Sequence, residues 1–217
     1  MNVNYSGLFN GGRPWPAPRA VARGELVRQM PRLTSIYTKS GDSGRTQLSD
    51  GTRVPKDSPR TELLGELDEL NAALGVAAAS GLPTELVQPV SRVQNELFNL
   101  GAELSFGRPP EQPSVVPLVR DQDVLRLEEA IDRNASRLGP LRNFILPGGS
   151  AAGAHLHLAR TVCRRTERRL VALSGESPVR ETCLCYLNRL SDALFMWARL
   201  ANQAQHQPEI LWDPAKY

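Results

Sequence analysis

Residues 156–173 read LHLARTVCRRTERRLVAL, and this stretch decides the fold. Leu156, Ala159, Cys163, Thr166, Leu170 and Leu173 recur at steps of three and four. An α-helix brings residues at that spacing to one face, so these side chains form a single buried stripe. The same rhythm appears on either side. Leu184, Leu187, Leu194, Ala198 and Ala201 mark a later helix. Val124, Leu127, Ile131 and Leu138 mark an earlier one, stopped by Gly139-Pro140. Leu86, Val90, Val93, Leu97, Leu100 and Leu104 form another, and Leu63, Leu67, Leu70, Leu74 and Ala77 line a helix over about 60–79. Five long helices with mostly short connections predict an all-α protein, a five-helix up-down bundle packed at shallow angles. Residues 105–119 are the long connection, broken by Gly107, Pro109, Pro110, Pro113 and Pro117.

The chain is 217 residues long, enough for one domain with extensions. Residues 34–205 are expected to form the helical domain, between a disordered N-terminal extension (1–33) and a C-terminal tail (206–217). The extension holds Pro14, Pro16, Pro18 and Pro31, with Glu25 its only acid, and has no apolar period. Its arginines leave open a transit peptide and a mitochondrial matrix location; Met30 is an alternative start, and a cytoplasmic location is the first expectation. No apolar run approaches the length of a membrane span. Lys and Arg number 26 against 23 acids, a net charge of +3 that permits an anionic ligand without indicating nucleic acid or a membrane surface. Cys163, Cys183 and Cys185 are read as packing residues in a reducing compartment.

Two features carry possible chemistry. Arg160, Arg164 and Arg168 are four apart, with Arg165 and Glu167 flanking them. Such a stripe is either a solvated charged face or an anion site, in which guanidinium forks grip phosphate oxygens in pairs. Residues Thr38-Lys39-Ser40-Gly41-Asp42-Ser43-Gly44 are rich in small and hydroxyl side chains. They are either an ordinary turn or a loop that aims N–H groups at phosphate, and they lack the Walker spacing. His155 and His157 are two apart and face different ways, which excludes a chelating pair. Asn188, Asp192 and Arg199 share one helix face. Phe144, on its own, reads as either a core residue or a ligand contact.

Five segments together resemble the PduO-type ATP:cob(I)alamin adenosyltransferase family. They are residues 36–44 (IYTKSGDSG), 65–71 (GELDELN), 144–149 (FILPGG), 159–169 (ARTVCRRTERR) and 186–192 (YLNRLSD). The match runs from about residue 34 to about residue 203. Residues 45–48, RTQL, depart from the family pattern. The resemblance implies a homotrimer of helical bundles with ATP between subunits. It implies that Thr38, Lys39, Ser40, Gly41, Thr46, Gln47 and Lys56 line the nucleotide. Arg164, Arg165, Thr166, Glu167, Arg168 and Asn188 would surround triphosphate, ribose or Mg²⁺, with the metal ligands unassigned. Asp68 and Arg160 correspond to a pair that meets across the subunit boundary, and Phe144 to the aromatic beneath the corrin. Arg160, Arg164, Phe144 and Asp68 are thus the expected catalytic group.

The implied reaction moves the 5′-deoxyadenosyl group of ATP onto cob(I)alamin. Corrinoid and ATP are then substrates, with a corrinoid reductase and an adenosylcobalamin-dependent enzyme as transient partners. Two rival readings are a non-catalytic corrinoid carrier and a purely structural bundle.

Overall fold

The computed structural model describes residues 37, 39–107 and 116–216. Thr38 and the segment read as an N-terminal extension lie outside the described residues. Two short strands, β1 (Arg45–Gln47) and β2 (Arg53–Pro55), pair antiparallel with Thr46 opposite Val54. Five helices follow: α1 (Pro59–Ala79), α2 (Thr84–Leu104), α3 (Asp121–Leu138), α4 (Ala151–Ser174) and α5 (Glu181–Ala204). The five expected helices are present, each carrying its expected stripe.

Local chemistry sets the boundaries. Ser58 caps α1 through its side-chain oxygen, and Pro59 occupies the first turn, where a missing N–H is harmless. The Asp123 carboxylate accepts the Arg120 N–H at 2.8 Å and fixes the start of α3. Gly139 ends that helix at φ 71°, a conformation that favours glycine. Pro89 stands inside α2, where propensity alone would end a helix. Burial of Leu86, Val90 and Val93 around it outweighs the lost hydrogen bond.

Helix α1 packs on α2 and α4, α4 on α5, and α5 on α3. Ion pairs Arg126–Glu96 (3.0 Å) and Arg137–Glu85 (2.6 Å) tie α3 back to α2. Leucines from all five helices fill the core. The buried Glu103 at the end of α2 accepts both Nε and Nη2 of Arg180 at 2.6 and 2.8 Å, joining the end of α2 to the start of α5. Tyr186, fully buried on α5, donates to Glu96 at 2.8 Å. Burial pushes the thiols of Cys163 and Cys183 far above their ordinary range, in keeping with packing roles.

Two contacts fix the direction of α4 against α1. Near the start of α1, Arg60 Nη2 donates to Ser177, just beyond the end of α4, at 2.6 Å. At the other end, Ser80 Oγ lies 2.8 Å from His155 Nδ1, in the first turns of α4. The two helices therefore run antiparallel.

The residues read as a C-terminal tail turn back along the bundle. Gln207 N–H donates to Asn202 C=O at 2.9 Å, and Leu211 bridges to Ile145. Asn202, almost fully buried on α5, ties down the turn before α4. Its Oδ1 accepts Ser150 N–H and Oγ, both at 2.9 Å, and its Nδ2 donates to Gly148 C=O at 2.9 Å. This closeness requires glycine at two positions. A Cβ on Gly149 or Gly153 would lie 2.5 or 2.1 Å from the Asn202 amide. Gly153→Ala is therefore expected to cost about 1–3 kcal/mol through overpacking. Urea denaturation measures it, and an unchanged midpoint would show that Asn202 moves aside freely.

Candidate nucleotide and corrinoid site

The arginine-rich face of α4 divides into two sets. Arg165 pairs with Glu69 and lies 3.6 Å from Glu66, and Arg169 Nε reaches Glu66 at 3.2 Å. Both acids belong to α1, so these arginines help bind α4 to it. Arg160, Arg164 and Arg168 form no ion pair among the described residues. Among the described residues Arg168 donates to the Arg164 backbone carbonyl, at 3.0 Å. Arg160 is half-buried, and its Nε has no partner among the described residues. Burial and the neighbouring Arg164 lower its pKa, while Asp192 opposes them. A row of like charges with one buried, unanswered N–H calls for an anion from outside the chain.

The surroundings of this row carry oxygen ligands. Asn188 Nδ2 donates to Glu167 Oε1 at 2.9 Å, and Asn188 Oδ1 accepts from Arg189 at 3.0 Å. The Asp192 carboxyl is pushed up by burial and pulled back by Arg189 and Arg164. Thr166 departs from its expected place among the nucleotide residues. It is fully buried, and its hydroxyl donates to Val162 C=O at 3.0 Å. Its position in the core stripe decides its role, and it stabilises packing.

The loop with Lys39, Ser40 and Gly41 is folded onto the strand pair. Arg53 Nη2 donates to Ser40 C=O at 2.9 Å, and Lys56 N–H to Gly44 C=O at 2.9 Å. Lys39 adopts φ 59°. A Cβ on Gly41 would stand 3.0 Å from Lys56 Nζ, so the absence of a side chain lets the ammonium lie against the loop backbone. Lys56, Gln47 and Lys39 are exposed, and Thr46 is half-buried.

Phe144 is 76 % exposed, which excludes the core-packing alternative. Its ring meets Trp212 edge to face at 6.2 Å between centroids. Leu146 and Ile210 are also exposed and fall on the same side of the pairing as Phe144 and Trp212, an apolar surface formed by the turn and the returning C-terminal segment. Trp212 and its neighbours belong to no motif in the sequence reading. The signal available was the run Ile210-Leu211-Trp212 in an otherwise polar stretch.

One chain does not bring these parts together. The loop is held at the start of α1, where Ser49 N–H donates to Ser105 C=O at 3.0 Å. Phe144 lies just before α4, at the opposite end of the α1–α4 pair. Roughly 30 Å of helix, at 1.5 Å per residue, separates the two ends. Asp68 is exposed and forms no ion pair among the described residues, and it does not meet Arg160 within the chain.

Known proteins resemble this chain over most of its length. The family profile described as cobalamin adenosyltransferase matches residues 36–201. This chain belongs to the cobalamin adenosyltransferase family. It is 43 % identical over 183 residues to the corrinoid adenosyltransferase PduO of Salmonella typhimurium, covering 84 % of this chain and 54 % of that protein. The chain thus spans about half the length of that relative. It is 41 % identical to the cobalamin adenosyltransferase of Cupriavidus metallidurans, covering 84 % of this chain and 96 % of that protein. Among solved structures it resembles a variant PduO-type ATP:corrinoid adenosyltransferase from Lactobacillus reuteri complexed with cobalamin and ATP. The TM-score is 0.77 at 34 % identity, over 82 % of this chain and 99 % of that one. A further variant of that enzyme, complexed with ATP, gives a TM-score of 0.75 at 36 % identity.

His157 stands three residues before Arg160 on α4. It is 2 % exposed, packs its ring edge to face on Phe195, and neither nitrogen has a partner among the described residues. Burial and then Arg160 lower its pKa, against the pull of Glu209. The folded protein keeps the imidazole neutral where the unfolded chain protonates it. Its contribution to stability is therefore complete above the ordinary value of 6.5 and is lost as pH falls below it. Urea midpoints across this range should fall less steeply in His157→Asn than in the wild type; parallel curves would count against a neutral buried imidazole.

Proposed function

We propose that this protein transfers the 5′-deoxyadenosyl group of ATP to the cobalt of a reduced corrinoid. The observation that carries this reading is the unpaired Arg160–Arg164–Arg168 row on the same helix that begins beside the exposed Phe144–Trp212 surface. One feature suits polyphosphate and the other suits a broad, apolar macrocycle.

In the proposed reaction, cobalt(I) attacks the ribose 5′-carbon. The cobalt–carbon bond forms as the carbon–oxygen bond breaks, and triphosphate leaves with the bonding electrons. No proton moves at the attacked carbon. The protein's work is to align metal and carbon and to answer the charge growing on the leaving oxygens. Arg164, Arg168 and Lys56 suit the second task. Glu167 and Asn188 offer the one or two oxygen ligands that Mg²⁺ takes alongside phosphates, and the ion would add Lewis-acid neutralisation there. Phe144 cannot coordinate cobalt. Packed against the lower face of the ring, it would keep water from the axial position and make cobalt(II) easier to reduce.

The site is proposed to be shared between copies in a homotrimer, with the Thr38–Gly44 loop of one chain meeting the arginine row of another. This accounts for the loop and Phe144 standing at opposite ends of one chain, and for the unanswered Arg160 Nε. Asp68 of a neighbouring copy is the proposed partner of Arg160. No helix among the described residues is long and apolar enough to cross a membrane. A cytoplasmic site of action, supply of the electron by a corrinoid reductase, and consumption of the product by an adenosylcobalamin-dependent enzyme complete the proposal.

The deciding experiment incubates the protein with ATP and chemically reduced cobalamin and follows the spectrum for a cobalt–carbon bond. Absence of product with corrinoid bound would favour the carrier reading; absence of saturable heat with Mg-ATP would favour a scaffold. Arg164→Ala should lower turnover by about 10²–10³-fold while corrinoid still binds. Unchanged turnover would remove the anion site. Phe144→Ala should slow the reaction from cobalt(II) more than from pre-reduced cobalt(I), and equal slowing would overturn the ring-face role.

A further inference from the structure

The returning C-terminal segment has little to hold it by itself. Leu146 N–H donates to Ile210 C=O at 2.8 Å, Trp212 N–H to Phe144 C=O at 2.7 Å, and Asn143 Nδ2 to Trp212 C=O at 2.6 Å. These bonds join two short extended pieces whose large apolar side chains are mostly exposed. A two-stranded pairing of this kind is marginal in water. Yet it shapes the surface on which Phe144 and Trp212 stand together.

The anchor comes from α5. Arg199 is 5 % exposed, and its Nε and Nη2 donate to Glu209 Oε1 and Oε2 at 2.6 and 3.3 Å. A forked pair fixes direction as well as distance. A buried guanidinium left without its carboxylate is strongly disfavoured, so Glu209 is held where it is. Glu209 is one residue before Ile210, the first residue of the pairing. On the other side, Gln207 is fastened to Asn202. Arg199 is distant in role from the arginine row, whose members lack such partners.

We infer that the Arg199–Glu209 ion pair is the positioning device of the corrinoid surface, locking residues 209–212 against residues 143–146 so that Phe144 and Trp212 meet the macrocycle as one wall. This rests on the reading that the corrinoid lies on Phe144. Neither charged group touches the reacting atoms. Their effect reaches the substrate only through the geometry of the two aromatic rings.

Glu209→Gln keeps the shape and removes the charge, and Glu209→Asp keeps the charge on a shorter arm. Two measurements separate the pair's role from general folding. Hydrogen exchange on the free full chain should show loss of protection at the Leu146 and Trp212 amides in Glu209→Gln, with partial recovery in Glu209→Asp and no change within α1. Steady-state kinetics should show the corrinoid KM raised roughly tenfold, the size of one charge-assisted hydrogen bond, with the KM for ATP within about twofold of wild type. Unchanged exchange would overturn the anchoring. Equal rises in both KM values, or no rise in either, would overturn the link to the corrinoid. Failure of the wild type to form product would count against the proposed reaction instead; corrinoid titration of the wild type and Glu209→Gln would then decide the positioning role by the same tenfold weakening.

Discussion

The antiparallel seam between α1 and α4 is the constraint on which the rest depends. Leu63, Leu67, Leu70 and Leu74 on one side and Leu156, Ala159, Cys163, Thr166 and Leu170 on the other are buried. Arg60 and Ser80 fix the two ends of the register. That register sets Glu66 and Glu69 beside Arg165 and Arg169. An arginine-rich helix is tolerated because Arg165 and Arg169, two of its five arginines, are answered by acids of α1. Arg160, Arg164 and Arg168, which have no acidic partner among the described residues, then lie four apart along one face. Slide the seam by one turn and the division between paired and unpaired arginines would be lost.

Much of the fold was legible because leucine stripes at three- and four-residue steps leave few alternatives to a helical bundle. Pro89 shows how far burial overrides a local breaker. The site was legible in part. Among the expected residues, Arg160, Arg164 and Arg168 have no acidic partner among the described residues, whereas Arg165 is taken up by α1 and Thr166 by the core stripe. The division of the arginine stripe was not legible. It depends on which acids of another helix come alongside, and that is a matter of register rather than spacing. Phe144 also needed the structure, since a phenylalanine in a Gly/Pro-rich turn is equally compatible with burial.

The C-terminal segment escaped the sequence reading for a physical reason. It has no period, since it pairs through only a few backbone bonds, and its strongest tie is a salt bridge to a helix ten residues earlier. Composition describes such a stretch as polar tail. Its structure depends on Asn202 and Arg199, two polar residues buried in the last turns of α5. Buried polar groups of this sort specify geometry more than they add stability.

Under the proposed sharing of the site between copies, the separation of the Gly41 loop from Phe144 along one chain has a genetic consequence. Where a working centre takes its loop from one copy and its aromatic wall from the next, the two defects are independent. A chain damaged only in the loop and a chain damaged only in the wall, each inert when pure, form some intact junctions when they co-assemble. Two such alleles in one cell would complement each other, restoring a fraction of the centres fixed by the statistics of mixing.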